Sequence, residues 1–181
     1  MTVERNVNVA PGALVCKEAV LEGNITIGSG TIIHPTAVIK ATNGPIVIGE
    51  NNNVEETAVI ENISLNGEEM VIGNENVFEI GSGRALFVVN QPNLSNDSTR
   101  VLVVNALHIG NSNVFGVRCK IGPETIVTNG CFIGARCSAV LKEKLPERTV
   151  IYGEKNCRRI ASQLVEVKSF QYFLSVLFRK S

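Results

Sequence analysis

Large aliphatic residues recur every six positions along most of the chain. A period of six fits neither an amphipathic helix, which repeats every 3.6 residues, nor a continuous alternating strand, which repeats every two. It fits a short strand followed by a turn, and three such units would form one coil of about 18 residues. The positions that keep the rhythm are Val9, Val15, Leu21, Ile27, Ile33, Ile39, Ile48, Val54, Ile60, Ile72, Phe78, Ile109, Phe115, Ile121, Val127, Ile133, Ala139, Leu145 and Ile151.

This six-residue period predicts a stack of coils whose aliphatic positions form one continuous core. The 24 Val and 17 Ile, against 12 Leu, favour short strands and exclude an all-α fold. An aliphatic residue followed by Gly in a hexapeptide is typical of the left-handed form. Gly and the 19 Asn would supply positive φ at the corners. We therefore predict an all-β left-handed parallel β-helix of hexapeptide repeats, with six to seven coils, over residues 1–156.

The rhythm is interrupted in three places. Three residues are added around Gly44 and Pro45, and a polar residue occupies the expected aliphatic position at Asn66. The phase is lost over about 83–107, which predicts an irregular, polar, protruding insertion. From 157 to 181 apolar residues recur every three or four positions, which predicts a C-terminal α-helix that caps the open end of the coil.

Length, charge and cysteine use limit the class of protein. One chain of 181 residues is enough for one domain with a substantial core. Its 17 Lys and Arg balance 17 Asp and Glu, which argues against nucleic-acid binding. No signal peptide or apolar run of about 18 residues is visible, and the five cysteines lack a disulfide or zinc-knuckle spacing. We expect a reduced cytosolic protein with no membrane span.

The two histidines do not form a recognisable catalytic set. Hexapeptide folds include γ-class carbonic anhydrases, which need three histidines for zinc, and acyltransferases, which use one. His34 and His108 both lie beside an aliphatic position, so we expect their side chains to point outward, with His34 solvated on one face. The segment G-P-I-V-I-G-E-N-N-N-V-E-E-T-A-V-I-E at 44–61 resembles the γ-class anhydrases, and Glu61 stands where that resemblance calls for the first histidine. We predict no catalytic residue, no metal and no cofactor.

Three of the cysteines share one position in the repeat. Cys119, Cys131 and Cys137 lie where small residues recur, four after an aliphatic one. We interpret them as small side chains that fill the interior of the coil rather than as a redox or metal site.

The zero net charge conceals a strong asymmetry. Residues 41–99 carry a net charge of −8 and residues 100–181 a net charge of +8. Because position in a solenoid maps onto height along its axis, we expect acidic middle coils and basic late coils. The alternative is a random distribution of solvated charges. The apolar tail around Phe170, Phe173 and Phe178 covers more than one helical face, which suggests contact with another protein.

Four segments carry a resemblance to a known family. They are G-P-I-V-I-G-E at 44–50, E-E-x-A-x-I at 55–60, V-I-G-x-x-N-V-F-E-I-G at 71–81 and T-V-I-Y-G-x-x-x-C-R-R-I at 149–160. With these the chain, over about 6–160, resembles the dynactin subunit 6 family, left-handed β-helix subunits of the dynactin pointed-end complex. The insertion and the segment beyond 160 depart from the family pattern.

The resemblance implies a non-enzymatic adaptor that is cytoplasmic and associated with the cytoskeleton. It implies assembly with dynactin subunit 5, the pointed-end actin-related protein and the zinc-binding shoulder-linked subunit, in support of dynein–dynactin cargo engagement and microtubule-based transport. The alternative is a trimeric hexapeptide-repeat acyltransferase or a degenerate γ-carbonic-anhydrase-like enzyme. The residues that we expect to contact partners are Glu55, Glu56, Glu61, Arg158, Arg159, Phe170, Phe173 and Phe178.

Overall fold

The chain forms an all-β parallel solenoid of seven coils. A computed structural model describes residues 6–82, 108–123 and 125–162. The predicted insertion over 83–107 and residues 163–181 of the predicted C-terminal helix therefore lie outside the described residues. The predicted all-β coil and the number of coils are confirmed, whereas the left-handed sense of the coil stays a prediction.

Three consecutive strands make one coil, and each strand pairs in parallel with its equivalent in the next coil. The first face has seven strands, the second face has eight, and the third face is described in two pieces on either side of residues 83–107. The first face contains β1 (Asn6–Val9), β4 (Asn24–Ile27), β7 (Ile46–Ile48), β10 (Met70–Ile72), β12 (His108–Ile109), β15 (Thr125–Val127) and β18 (Glu143–Leu145). The second contains β2 (Leu14–Val15), β5 (Ile32–Ile33), β8 (Asn53–Val54), β11 (Val77–Phe78), β13 (Val114–Phe115), β16 (Phe132–Ile133), β19 (Thr149–Tyr152) and β20 (Cys157–Ile160). The third contains β3 (Val20–Glu22), β6 (Val38–Lys40) and β9 (Val59–Glu61), then β14 (Lys120–Ile121) and β17 (Ser138–Ala139).

Strand register shows where residues have been added to the coil. The six-residue rhythm places Asn66 at an expected strand position, but no strand forms there. Ile72 pairs directly with Ile48, so this coil contains one extra hexapeptide, and Asn66 lies in an exposed turn between β9 and β10. Buried Asn62 organises that turn, because its Nδ2 donates to the carbonyls of Pro45 (2.9 Å) and Glu68 (2.8 Å). The additions around Gly44 and at Asn66 thus both follow the third face, while the first face keeps its register across them.

The aliphatic positions of the repeat fill the interior as predicted. From Ile27 to Ile151 every one of them is buried, including the small Ala139. Phe78 and Phe115, which occupy equivalent positions in the fourth and fifth coils, stack with ring centroids 4.7 Å apart and planes 6° from parallel. The three cysteines at small-residue positions are also buried, and none of the five cysteines, all of which are described, forms a disulfide bond. The interpretation of Cys119, Cys131 and Cys137 as interior packing residues is therefore confirmed.

The corner between the first and second faces carries two columns of asparagine. The inner column consists of Asn52, Asn76 and Asn113, all buried inside the coil. Each side-chain oxygen accepts a hydrogen bond from the backbone N–H of the next coil, at 2.7–3.0 Å. The outer column consists of Asn74, Asn111 and Asn129, whose oxygens accept from backbone N–H groups of the preceding coil at 2.7–2.9 Å.

The positive φ that we expected of glycine and asparagine at the corners occurs at seven glycines and two asparagines of the described residues. The glycine that follows the aliphatic residue has a different role. Gly49, Gly73 and Gly110 do not have positive φ, so they are not required for their conformational freedom. A Cβ on any of them would collide with an outer-column asparagine oxygen and with the backbone of the next coil. These glycines are required because successive coils approach closely there. Positive φ occurs at other corner positions, where nine non-glycine residues adopt it.

The C-terminal end of the coil differs from the prediction of a helix from residue 157. Cys157–Ile160 forms β20, which pairs antiparallel with β19, Tyr152 opposite Cys157 and Thr149 opposite Ile160. The apolar spacing that suggested a helix begins within this hairpin, where alternate residues face opposite sides of the sheet. An antiparallel strand satisfies the edge of the second face and prevents another coil from adding there.

Candidate partner-binding surfaces

The predicted acidic partner-binding residues lie at two different corners of the third coil. Glu55 and Glu56 follow β8, at the corner between the second and third faces, whereas Glu61 ends β9 at the next corner. Glu61 Oε1 accepts a hydrogen bond from the Thr42 hydroxyl at 2.7 Å. The structure therefore does not bring the three carboxylates together.

Glu55 is tied to the backbone of the next coil. Its Oε2 accepts a hydrogen bond from the N–H of Ile80 at 3.1 Å. Burial raises the pKa of the Glu55 carboxyl, and the nearby negative charge of Glu79 adds to that rise, although the backbone hydrogen bond opposes it. Glu79 repeats the arrangement one coil later, because its Oε2 accepts from the N–H of Val117 at 3.0 Å. These carboxylates therefore hydrogen-bond to the backbone of the next coil and also give the corner negative charge.

His34 is buried, so the expectation of a solvated histidine is wrong. It is 7% exposed, and its Nε2 lies 2.9 Å from Asn53 Oδ1. Its Nδ1 lies 3.7 Å from Glu56 Oε1. The corner that follows β5 turns the ring back against the second face, between these two polar partners. His108 is exposed on the first face, as predicted.

The charge asymmetry predicted from sequence forms two adjacent bands of coils. Between 41 and 82 the described residues include eight Glu and no Lys or Arg, and these Glu lie at all three corners of the third and fourth coils. Over 108–162 the described residues include nine Lys and Arg against three Glu, in the fifth to seventh coils.

Arg158 and Arg159 lie on β20 at the basic end of the molecule. The Arg158 guanidinium binds both carboxylate oxygens of Glu143, with Nη2 2.8 Å from Oε1. This hydrogen bond raises the pKa of Arg158 further above its usual range. Arg159 is exposed and forms no ion pair with any described residue. Four coils, or about 19 Å, separate β8 from β19, so the arginines and the acidic residues form separate surfaces.

The predicted contact residues of the C-terminal tail, Phe170, Phe173 and Phe178, are outside the described residues. In the part of the chain that the structure describes, no helix has the length and hydropathy needed to span a bilayer. Within the same part, no three His, Cys, Asp or Glu side chains come together in a way that could hold a metal ion.

One basic feature was missed by sequence reasoning. Arg118 and Arg136 occupy the same exposed corner in consecutive coils, between the second and third faces. The segments G-V-R-C at 116–119 and G-A-R-C at 134–137 repeat at a spacing of one coil, and this repeated motif could have located the pair.

Comparison with known proteins gives a consistent set of relatives, although no protein-family model matches the chain. The chain is 36% identical over 176 residues to dynactin subunit 6 of Nematostella vectensis, which covers 92% of this chain and 85% of that protein. It is 36% identical over 180 residues to dynactin subunit 6 of Danio rerio, with 94% and 82% covered.

More distant similarities concern the fold. A carbonic anhydrase of Methanosarcina thermophila is 25% identical over 134 residues, covering 73% of this chain and 53% of the enzyme. The crystal structure of a hexapeptide transferase family protein from Anaplasma phagocytophilum superimposes with a TM-score of 0.58 at 14% identity, covering 96% of this chain and 91% of that one. The structural likeness supports the solenoid architecture alone.

Proposed function

The chain belongs to the dynactin subunit 6 family, and from this we propose that it is a non-enzymatic structural and adaptor subunit of the dynactin pointed-end complex. In that role it supports cargo engagement by dynein and dynactin, and thus microtubule-based transport. The observation that carries the proposal is the similarity to dynactin subunit 6 along more than nine-tenths of the chain. The proposed location is cytoplasmic and associated with the cytoskeleton.

The interior of the coil supports a scaffold role. Aliphatic side chains, the inner asparagine column and the buried cysteines fill it, and the asparagine amides are hydrogen-bonded to neighbouring coils. His34 is held by Asn53 and lies beside Glu56, which restrains the ring rather than leaving it free for a substrate. Burial raises the pKa of the Cys131 thiol, which disfavours the reactive thiolate form.

The proposed partners are a second β-helix subunit, dynactin subunit 5, together with the pointed-end actin-related protein and the zinc-binding shoulder-linked subunit. The two charged bands support docking to more than one partner, because each presents a different sign of charge. We propose that Glu55, Glu56 and Glu61 contribute to contacts of the acidic band, and Arg158 and Arg159 to contacts of the basic end. Phe170, Phe173 and Phe178 would contribute through a C-terminal helix that begins after β20.

The alternative is a hexapeptide-repeat enzyme, an acyltransferase or a degenerate γ-carbonic anhydrase. The 25% identity to a carbonic anhydrase favours the second of these. Glu61, where that resemblance calls for a histidine, weighs against it. The two classes predict different assemblies, since the enzymes would be homotrimers with sites between protomers, whereas the adaptor would form a one-to-one complex with a second β-helix subunit.

The test is purification of the tagged chain from its own cells, followed by mass spectrometry, measurement of the molar mass and metal analysis of the same fraction. We expect a second β-helix subunit and an actin-related protein at one copy each per tagged chain. Recovery of a homotrimer without those proteins, or of zinc at one ion per chain, would overturn the adaptor proposal.

A further inference from the structure

The corner between the second and third faces carries two exposed columns in the fourth to sixth coils. One column is apolar, with Ile80 51% exposed and Val117 39% exposed, followed by exposed Ala135. The other is basic and consists of exposed Arg118 and Arg136. Because the coils stack, the two columns run side by side along the axis of the prism at a rise of about 4.8 Å per coil.

The two arginines occupy a backbone conformation that does not favour arginine. Their φ values are +56° and +60°, whereas Gly81, at the equivalent corner one coil earlier, has φ of +62°. Glycine adopts this region freely, and a residue with a Cβ does so at an energetic cost. The fold itself therefore gives no reason to prefer Arg over Gly at these two corners.

Neither arginine contributes an ion pair to the described structure. Ion pairs within the described residues include those of His34 with Glu56, Lys40 with Glu22 and Arg158 with Glu143. Glu55 and Glu79, which lie at the same corner, use their carboxylates to accept backbone N–H groups. Positive φ alone does not distinguish the arginines, since Thr36 and Thr57 adopt it at the same corner of earlier coils. What distinguishes Arg118 and Arg136 is an exposed charged side chain that forms no ion pair with any described residue and is therefore available to a partner.

The backbone holds the two side chains at a fixed spacing. The N–H of Arg136 donates to the carbonyl of Val117 at 2.8 Å, which joins the two coils at this corner. The stem of Arg118 lies over Gly81, since a Cβ on that glycine would be 3.6 Å from Arg118 Cγ. Two guanidinium groups on a rigid corner can each bind a carboxylate through two parallel hydrogen bonds.

We propose that this corner, defined by Ile80, Val117, Ala135, Arg118 and Arg136 and called here the arginine ridge, docks a short acidic segment of a partner protein that also carries an apolar side chain. Apolar residues beside arginine are typical of the centre of protein interfaces. The basic stretch is only two coils long, and Glu55 and Glu79 extend the same corner with negative charge. A long polyanion such as a nucleic acid would be repelled there, whereas a compact acidic segment fits. The ridge does not require that the partner be a dynactin subunit.

The test places a photo-crosslinking amino acid, p-benzoylphenylalanine, at Ala135 in the tagged full-length chain expressed in its own cells. After irradiation, the crosslinked peptide is sequenced by mass spectrometry. We expect a single protein segment rich in Asp and Glu. Replacement of both arginines by glycine (R118G and R136G) should reduce its yield at least tenfold, because the ion pairs are lost.

The matched control replaces Thr36 and Thr57 by glycine at the same corner of the second and third coils, where φ is +60° and +57°. Both double variants should melt at or above the parent temperature, because glycine relieves the same backbone strain in each. The control should leave the crosslink yield unchanged. Crosslinks to nucleic acid or to a basic or neutral segment, no crosslink, or a yield insensitive to the two arginines would each overturn the proposal. An acidic segment from a protein outside dynactin would sustain the ridge while counting against the proposed function.

Discussion

The inner and outer asparagine columns use the same side chain, at the same corner, for the same kind of hydrogen bond. Both accept a backbone N–H from an adjacent coil at similar distances. They differ in their surroundings, because Asn76 and Asn113 of the inner column are fully buried while Asn74 and Asn111 are exposed to water. They also point in opposite directions along the axis, the inner oxygens toward the next coil and the outer oxygens toward the preceding one.

The difference shows that burial, rather than bond length, sets what each asparagine contributes. Water can replace an exposed partner, so an outer bond is worth only its small net value. Inside the coil nothing replaces a lost partner, and the abandoned N–H keeps its full desolvation penalty. Loss of an inner-column hydrogen bond should therefore destabilise the central coils more than loss of an outer-column hydrogen bond.

The largest effect is expected for Asn76→Ala. This change leaves the backbone N–H of Asn113 without an acceptor and removes one of the two acceptors of its side-chain amide, since both groups donate to Asn76 Oδ1 at 3.0 Å and only the amide also donates to the Thr128 carbonyl. It also removes the donor to the Gly110 carbonyl. We expect the free energy of unfolding in urea to fall by about 3 to 5 kcal/mol, from two or more buried unsatisfied groups.

Asn76→Thr is the matched control for that loss. Thr31 holds the equivalent position two coils earlier, where its hydroxyl accepts from the Asn52 N–H and donates to the Gly49 carbonyl. A threonine at position 76 can therefore retain one acceptor and one donor, and the loss should be clearly smaller. Equal losses for Ala and Thr would show that volume, not hydrogen bonding, makes the inner column important.

The second largest effect is expected for Gly73→Ala, which tests how closely successive coils approach at the outer asparagine column. The added Cβ would collide with Asn111 Oδ1 and lie 2.7 Å from the Gly110 carbonyl oxygen. Overpacking against backbone is expected to lower the free energy of unfolding by about 1 to 3 kcal/mol. Gly134→Ala should cost less, because its added Cβ would lie 2.9 Å from one carbonyl oxygen and at least 3.4 Å from its other neighbours. Removing Asn111 in the same chain should not restore stability, since the backbone contact remains.

A smaller effect is expected for Asn111→Ala in the outer column. The N–H of Asn74, which now donates to Asn111 Oδ1 at 2.8 Å, would turn to water. We expect a loss of about 0.5 to 1 kcal/mol in the same urea titration. A loss as large as that of Asn76→Ala would contradict the role given to burial.

The sequence predicted the repeating part of the fold and not the exceptions to it. The six-residue period located the core because one inward position recurs regardless of what the corners contain. It misplaced Asn66, since an inserted hexapeptide keeps the phase of the repeat while its residues leave the sheet. Its assignment of positive φ to Gly and Asn is confirmed at seven glycines and two asparagines of the described residues. It did not explain the glycine after the aliphatic residue, because a sequence does not show that Gly73 faces Asn111 of the next coil.

The surfaces were less predictable than the core. The acidic and basic bands followed from sequence because height along a solenoid follows chain position. The burial of His34 did not follow, since it depends on Asn53 and Glu56 of the adjacent coil. For the arginine ridge, the repeated G-x-R-C segments could have located Arg118 and Arg136, but the sequence did not show that Ile80 of the preceding coil lies at the same corner.

The smallest effect extends the comparison to the other corner, where Glu55 accepts a backbone N–H as the outer asparagines do, but with a charge. Burial raises the pKa of Glu55 in the folded state, so the folded protein binds that proton more tightly than the unfolded chain. The contribution of the carboxyl to stability is intact below the ordinary glutamate value of about 4.3 and is lost as pH rises through the raised folded value.

Glu55→Gln keeps an oxygen for the Ile80 N–H and removes the titration. Its stability relative to the parent protein should therefore be higher at pH 7 than at pH 4, by less than the loss for Asn111→Ala. Urea titrations of the variant and the parent protein, run in parallel at pH 4 and at pH 7, measure this difference. If Glu55→Gln is destabilising at pH 7 and neutral at pH 4, the charge itself supports this corner, and the analogy with the outer asparagines fails.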